Sequence, residues 1–187
     1  MEYKFRTVSA ESRTENPFHL FDHDWMLVTA GTLESYNALT ASWGGMGILW
    51  EKEVMLCVVR PVRHTFDFME RHDLFTLAAF EERYRPALRT FGRKSGRDLD
   101  KAKDTGMTPV KGINGGIYFQ QARLVYECRK MYWTDFDPGK FLDQKMHKFY
   151  PNRDYHRMYV GEILSVMSRF VEGDATPPPA IRARGVA

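Results

Sequence analysis

The sequence lacks most of the features that would fix a class at once. Nowhere does it approach the roughly 18 consecutive apolar residues of a membrane helix. Met1 to Arg13 holds no apolar stretch behind a positive charge, so no secretory signal is expected there. Cysteine is scarce. Cys57 and Cys128 are the only two, both lie inside apolar runs, and they match neither a disulfide framework nor a metal spacing. Two buried free thiols in a reducing compartment are therefore expected, and a cytoplasmic location with them. The six histidines contain no His-Glu-x-x-His, so no metal is expected. Gly-x-x-x-x-Gly-Lys-Ser/Thr, Gly-x-Gly-x-x-Gly and Gly-x-Ser-x-Gly are all missing. P-loop, Rossmann and serine-hydrolase chemistry thus have no support. There is no internal repeat, and no strong excess of one charge: the formal net charge is +3. That suits a phosphate-bearing small molecule and falls short of the clustered Lys and Arg that nucleic acid needs.

What remains is an ordinary globular composition, 43% hydrophobic and 27% charged over 187 residues. It is long enough for one domain with its own core. We read that domain over residues 1–172, followed by a Pro-rich tail, residues 173–187, containing Pro177-Pro178-Pro179.

Within the domain, Met26 to Ala30, Asn37 to Trp43, Val54 to Val59 and Leu74 to Phe80 read as strands. So do Ile117 to Phe119, Ala122 to Lys130 and Arg157 to Val166, the last with Met158, Val160, Glu162 and Leu164 on one side. The polar link Thr32 to Tyr36 makes the first two a hairpin. Short helices are predicted over Thr65 to Arg71, with Thr65 as N-cap, and over Tyr84 to Phe91, Arg97 to Asp104 and Pro138 to Met146. Helices long enough for βαβ crossovers are missing. The expected fold is mainly β with short helices, an antiparallel barrel of Greek-key type.

Four segments could carry chemistry. Arg60-Pro61-Val62-Arg63-His64-Thr65 puts two guanidinium groups where a strand ends and a helix opens, which suits a phosphate dianion. Asn37-Ala38-Leu39-Thr40-Ala41-Ser42-Trp43-Gly44 offers small and hydroxylated side chains that let a ligand approach the backbone. Gly92-Arg93-Lys94-Ser95-Gly96-Arg97 places cations between glycines ahead of a helix. His156 precedes the final strand. Taken singly, each has a plainer reading: a surface loop with incidental arginines, an edge strand, a charged loop, a structural histidine.

Taken in order, they resemble the flavin reductase-like family of FMN-binding split barrels, the flavoredoxin type in particular. The resemblance is carried by Asn37-x-x-Thr40-Ala41-Ser42-Trp43-Gly44, Val59-Arg60-Pro61-x-Arg63-x-Thr65 and Ser95-Gly96-Arg97-Asp98-x-Asp100-Lys101 with Thr105-Gly106. Glu127-Cys128-Arg129-Lys130 and Asp154-Tyr155-His156-Arg157-x-Tyr159-x-Gly161-Glu162-Ile163 complete it. It implies a homodimer with one FMN per subunit near the interface. Arg60, Arg63 and Thr65 would hold the phosphate; Asn37, Thr40, Ala41, Ser42 and Trp43 would line the ring and ribityl chain. Ser95 and Lys101 would reach the flavin, and His156 would lie near the ring. NADH or NADPH would reduce the flavin by hydride transfer, and electrons would pass to a small-molecule or protein acceptor, with no strictly catalytic side chain. Two other functions fit the same motifs: an FMN electron carrier reduced by a protein partner, and a non-catalytic flavin-binding protein.

Overall fold

The computed structural model describes residues 3–170, so the expected Pro-rich tail lies outside the described residues. Ten strands and three helices make up the regular structure: β1 (Lys4–Val8), β2 (Met26–Gly31), β3 (Tyr36–Ala41), β4 (Gly44–Leu49), β5 (Lys52–Val59), α1 (His64–Arg71), β6 (Leu74–Ala79), α2 (Arg85–Arg93), α3 (Lys101–Thr105), β7 (Pro109–Lys111), β8 (Ile117–Phe119), β9 (Leu124–Asp135) and β10 (Arg157–Phe170). The main sheet runs β3-β2-β6-β9-β10-β5-β4, antiparallel throughout. The long β10 changes partner along its length. Arg157 to Glu162 pair with β5, while Val166 to Phe170 pair with β1. The terminal strands β3 and β4 do not pair with each other, so the barrel is split.

The central strands are apolar on both faces because both are covered. Met26, Val28, Leu77 and Tyr126 point into the barrel with Met55, Cys57 and Tyr159. Leu27, Ala78 and Val125 point outward, under Leu88 and Phe91 of α2, Ala102 of α3 and Phe119 of β8. This double burial gives β2 and β6 their continuous apolar runs. Cys57 and Cys128 are buried free thiols, as expected, and burial pushes Cys57 up to about 12. Glu127 is also buried. It accepts from the backbone N–H of Asn114 and Gly116 and from the Ser165 hydroxyl, tying the β7–β8 loop to the barrel.

The structure departs from the expected elements in several places. The strand expected over Asn37 to Trp43 ends at Ala41, and β4 begins at Gly44. β4 was unforeseen: it is glycine-rich, and its two-residue turn to β5 is Trp50-Glu51, with φ of 51° and 58°. A turn of that kind needs positive φ at both positions and normally announces itself as Asn-Gly. In β10 the register shifts after Val160 and Ile163, so the expected alternation fails. The buried residues are Tyr159, Val160, Gly161, Ser165, Val166 and Met167 instead. The helix expected from Arg97 starts only at Lys101, where Asp100 accepts from the Lys103 N–H at 3.1 Å. Thr65 lies inside α1, whose cap position is Arg63. Pro138 to Met146 is no helix but 3-10 turns at Pro138–Lys140 and Gln144–Phe149.

Among the described residues, no helix is long and apolar enough to cross a membrane. His19 and His23 do stand four apart, a spacing that can pair metal ligands. Here they fall in a π-helical turn with their rings stacked at 4.8 Å. No group of three metal-ligating side chains occurs among the described residues.

Candidate functional site

The open side of the barrel is built from the segments that the sequence singled out. β3 ends at Ala41, and the chain turns through Ser42 and Trp43 against the end of β5. A groove of about 230 Å³ lies there, floored by Leu39, Ala41, Val58 and Val59 and walled by Thr40, Ser42, Trp43, Arg60, Arg63 and His156. Gly44 makes the close approach possible, since a Cβ there would collide with the Leu56 carbonyl and the Phe21 ring. The Thr40 hydroxyl is committed to the Leu88 carbonyl at 2.5 Å, which fastens the groove wall to α2. Trp43 is 40% exposed, with the His156 ring at 5.1 Å and the Phe149 ring at 5.4 Å.

Arg63 joins this groove to a second hollow of about 100 Å³. Arg63, Arg93, Lys94 and Lys101 line it together with Asn37, Thr65 and Ser95, and no carboxylate takes part. The cations are forced together by the fold. Arg63 donates to the Gly92 carbonyl at 2.5 Å and more weakly to that of Phe91, closing the C-terminal end of α2. Lys101 is 5% exposed and donates to the Ala38 carbonyl. Burial, reinforced by the Arg63 charge, lowers the Lys101 ammonium to about 8. Arg63 is itself lowered, by burial and then by Arg60.

Buried polar contacts stiffen this hollow. Asn37 donates to the Thr65 hydroxyl at 2.9 Å, tying β3 to α1. The loop before α3 is drawn in because Gly96 carries no Cβ to strike the Asn37 carboxamide. Arg97 then latches that loop to Asp67 on α1 at 2.6 Å. These cations have no carboxylate partner among the described residues and stand among neutral donors, so they make a cradle that an anion could enter, relieving their mutual repulsion.

The far end of the groove is different. Residues 136–156 connect β9 to β10 and fold across the groove mouth. Arg60 holds them there, with Asp154 at 2.9 Å, the Phe149 carbonyl at 2.8 Å and the Tyr150 ring at 5.2 Å. Arg60 was expected to hold phosphate; here its guanidinium lines the groove but is occupied by this segment. Burial, aided by the Arg60 charge, brings His156 down to about 4, so its ring is neutral at pH 7.

All eleven residues singled out in the sequence border these two hollows. Thr40, Ala41, Ser42, Trp43, Arg60 and His156 lie on the groove; Asn37, Thr65, Ser95 and Lys101 lie on the cradle; Arg63 touches both. Arg93 and Lys94 went unselected. Their signal was present, cations between Gly92 and Gly96, but it also described a surface loop. Tyr150, on the connecting segment, carried no sequence signal at all.

No curated protein matches this chain. Solved structures do, and at these identities they establish the fold. The FMN-binding domain of a flavin reductase-like enzyme from Shewanella baltica superposes with a TM-score of 0.65 at 13% identity, covering 90% of this chain and 78% of its own. Flavoredoxin from Methanosarcina acetivorans gives 0.61 at 15% identity, covering 82% and 74%. An NADH:FAD oxidoreductase from Streptomyces globisporus, solved with NAD and FAD fragments, gives 0.58 at 17%, covering 79% and 74%. The model of the flavin reductase like domain matches residues 18–183, nearly the whole chain. With its split barrel and its cation-lined groove, this chain belongs to the flavin reductase-like family.

Proposed function

We propose that this protein binds FMN along the groove and works as an NAD(P)H-dependent flavin reductase. The observation that carries the reading is the cradle: four cations and no carboxylate, adjoining a groove with an apolar floor. An FMN phosphate brings about −1.5 to −2 charges at neutral pH, the partner these cations lack. When bound, FMN supplies the redox chemistry, taking a hydride from NADH or NADPH and passing electrons to a small-molecule or protein acceptor.

The chain's own residues bind, orient and shield. Arg63 and Lys101, with Arg93, Lys94 and Ser95, would hold the phosphate in place of the Arg60, Arg63 and Thr65 set. Asn37 and Thr65 would act chiefly by fixing the cradle's shape through their shared hydrogen bond. Ala41 and Ser42 leave room for a flat ring, and Trp43 and neutral His156 flank it without adding charge. Hydride transfer asks no side chain for a proton, so we assign no catalytic acid or base.

A homodimer fits the same reading. The groove, about 230 Å³, and the adjoining hollow, about 100 Å³, together only reach the lower end of the roughly 300–1,000 Å³ usual for ligand pockets, and a second subunit would enclose the ligand further. β4 is a terminal strand of the sheet, and Ile48, Leu49 and Trp50 are exposed at its end, with Tyr132 at 6.1 Å from Trp50. Unpaired edges bearing apolar side chains call for a partner. Likeness to a flavoredoxin supports a second reading, an electron carrier reduced by another protein.

One experiment separates these readings. The visible spectrum of the purified protein, with FMN added, is followed while NADH or NADPH is introduced without oxygen. Flavin absorbance that bleaches supports the reductase and names its donor. Absorbance that persists but bleaches with dithionite supports the carrier. Failure to take up FMN at all sinks both.

A further inference from the structure

Behind His156 stands Tyr150, a residue outside every motif quoted above. Its side chain is 5% exposed, and its hydroxyl lies 2.8 Å from His156 Nδ1. Aromatic neighbours fix the ring: Phe141 stacks at 6.0 Å, Tyr155 lies at 4.7 Å, and the Arg60 guanidinium covers it at 5.2 Å. The hydroxyl therefore has little freedom to turn elsewhere. The opposite nitrogen of His156, Nε2, has no hydrogen-bond partner among the described residues, although the ring lines the groove.

We propose that Tyr150 is a positioning residue that sets the tautomer of His156. A phenol is a stronger acid than a neutral imidazole, so in this pair the hydroxyl donates and Nδ1 accepts. A neutral imidazole has one proton, and with Nδ1 accepting, that proton belongs on Nε2. The charged groups around the ring keep it single. Arg60 opposes a second proton, while Asp154, which favours one, is already paired with Arg60. His156 then offers the groove a neutral N–H donor, held in one orientation by Tyr150 and packed against Trp43 and Phe136. A donor at that place favours the more electron-rich, reduced state of a redox ligand. This last consequence rests on the function proposed above; the tautomer does not.

The test is nitrogen NMR of the histidine side chains in the full chain, wild type and Tyr150→Phe, with and without FMN. His156 should show a protonated Nε2 and an unprotonated Nδ1 in the wild type. Tyr150→Phe should redistribute the proton between the two nitrogens. A wild-type proton on Nδ1, or a pattern unmoved by Tyr150→Phe, would overturn the assignment. The second readout is the flavin midpoint potential. Tyr150→Phe should weaken binding of reduced relative to oxidised FMN about tenfold, equivalent to a fall of about 30 mV for a two-electron couple. A changed tautomer with an unchanged potential would overturn the effect on the ligand. If FMN does not bind at all, the proposed function fails, while the flavin-free spectra still decide the tautomer.

Discussion

The two arginines that open the helical segment, Arg60 and Arg63, are three residues apart and face opposite needs. Arg60 has a carboxylate, a carbonyl and an aromatic ring for partners. Arg63 has two carbonyls at the end of α2 and sits among other cations. At the groove mouth Arg60 is paired within the chain and so holds a shape, although Asp154 Oδ1 is buried there without a hydrogen-bond partner among the described residues. At the proposed cradle four cations line one hollow with no carboxylate of the described residues among them. Resemblance in sequence assigns both arginines the same task, whereas the contacts that each makes within the chain differ.

The comparison breaks most directly at the arginines themselves. Arg63→Met removes charge-assisted hydrogen bonds from the cradle, each worth roughly 1.5–3 kcal/mol. FMN affinity should fall about 30-fold or more by fluorescence titration, since about 1.4 kcal/mol is tenfold. Arg60→Met should cost FMN affinity only a few-fold, while loosening residues 136–156 enough to be seen as faster proteolysis there. Equal losses of affinity from both substitutions would refute the division of labour.

A smaller effect sharpens it through pH. Lys101 sits near 8 without a ligand, and a phosphate beside it would raise that value. Between about pH 7 and 8 the ammonium is largely charged and the phosphate largely dianionic, so affinity should change little there. Above pH 8 binding must take up a proton, so affinity should decline, by at most tenfold per pH unit. Riboflavin, which has no phosphate, should lack this decline, as should Lys101→Met with FMN. A flat FMN affinity between pH 7.5 and 9.5 would place the phosphate away from Lys101.

These contrasts also mark what could be read from the sequence. The strands buried on both faces were visible, because apolar runs such as Met26 to Ala30 need no alternation to be noticed. β4 was hidden, since three glycines give no pattern and Trp50-Glu51 makes its turn without the usual residues. The face of β10 was misread because register shifts are set by tertiary pairing. Site residues on β3 and near α1 could be picked out by type and order. Their individual bonds could not. That Thr65 faces Asn37, or that Arg60 meets Asp154 some 94 residues on, depends on the tertiary topology of the split barrel.

The groove-mouth end makes the smallest prediction, and it concerns stability. His156 would titrate near 6.5 in an unfolded chain and near 4 in this fold. The folded ring is therefore neutral over that interval while the unfolded one gains a proton. Proton linkage then requires stability to fall as pH drops from about 6.5 towards 4, and to be unaffected by this residue above about 7. Other carboxylates titrate towards the lower end, so the informative quantity is a difference between proteins. His156→Gln should be less sensitive to pH than the wild type between 6.5 and 5, with the gap narrowing as acid is added, in urea melts at matched ionic strength. Parallel stability curves would mean that His156 takes up its proton as readily in the fold as in the unfolded chain, and the groove mouth would then not hold its ring neutral.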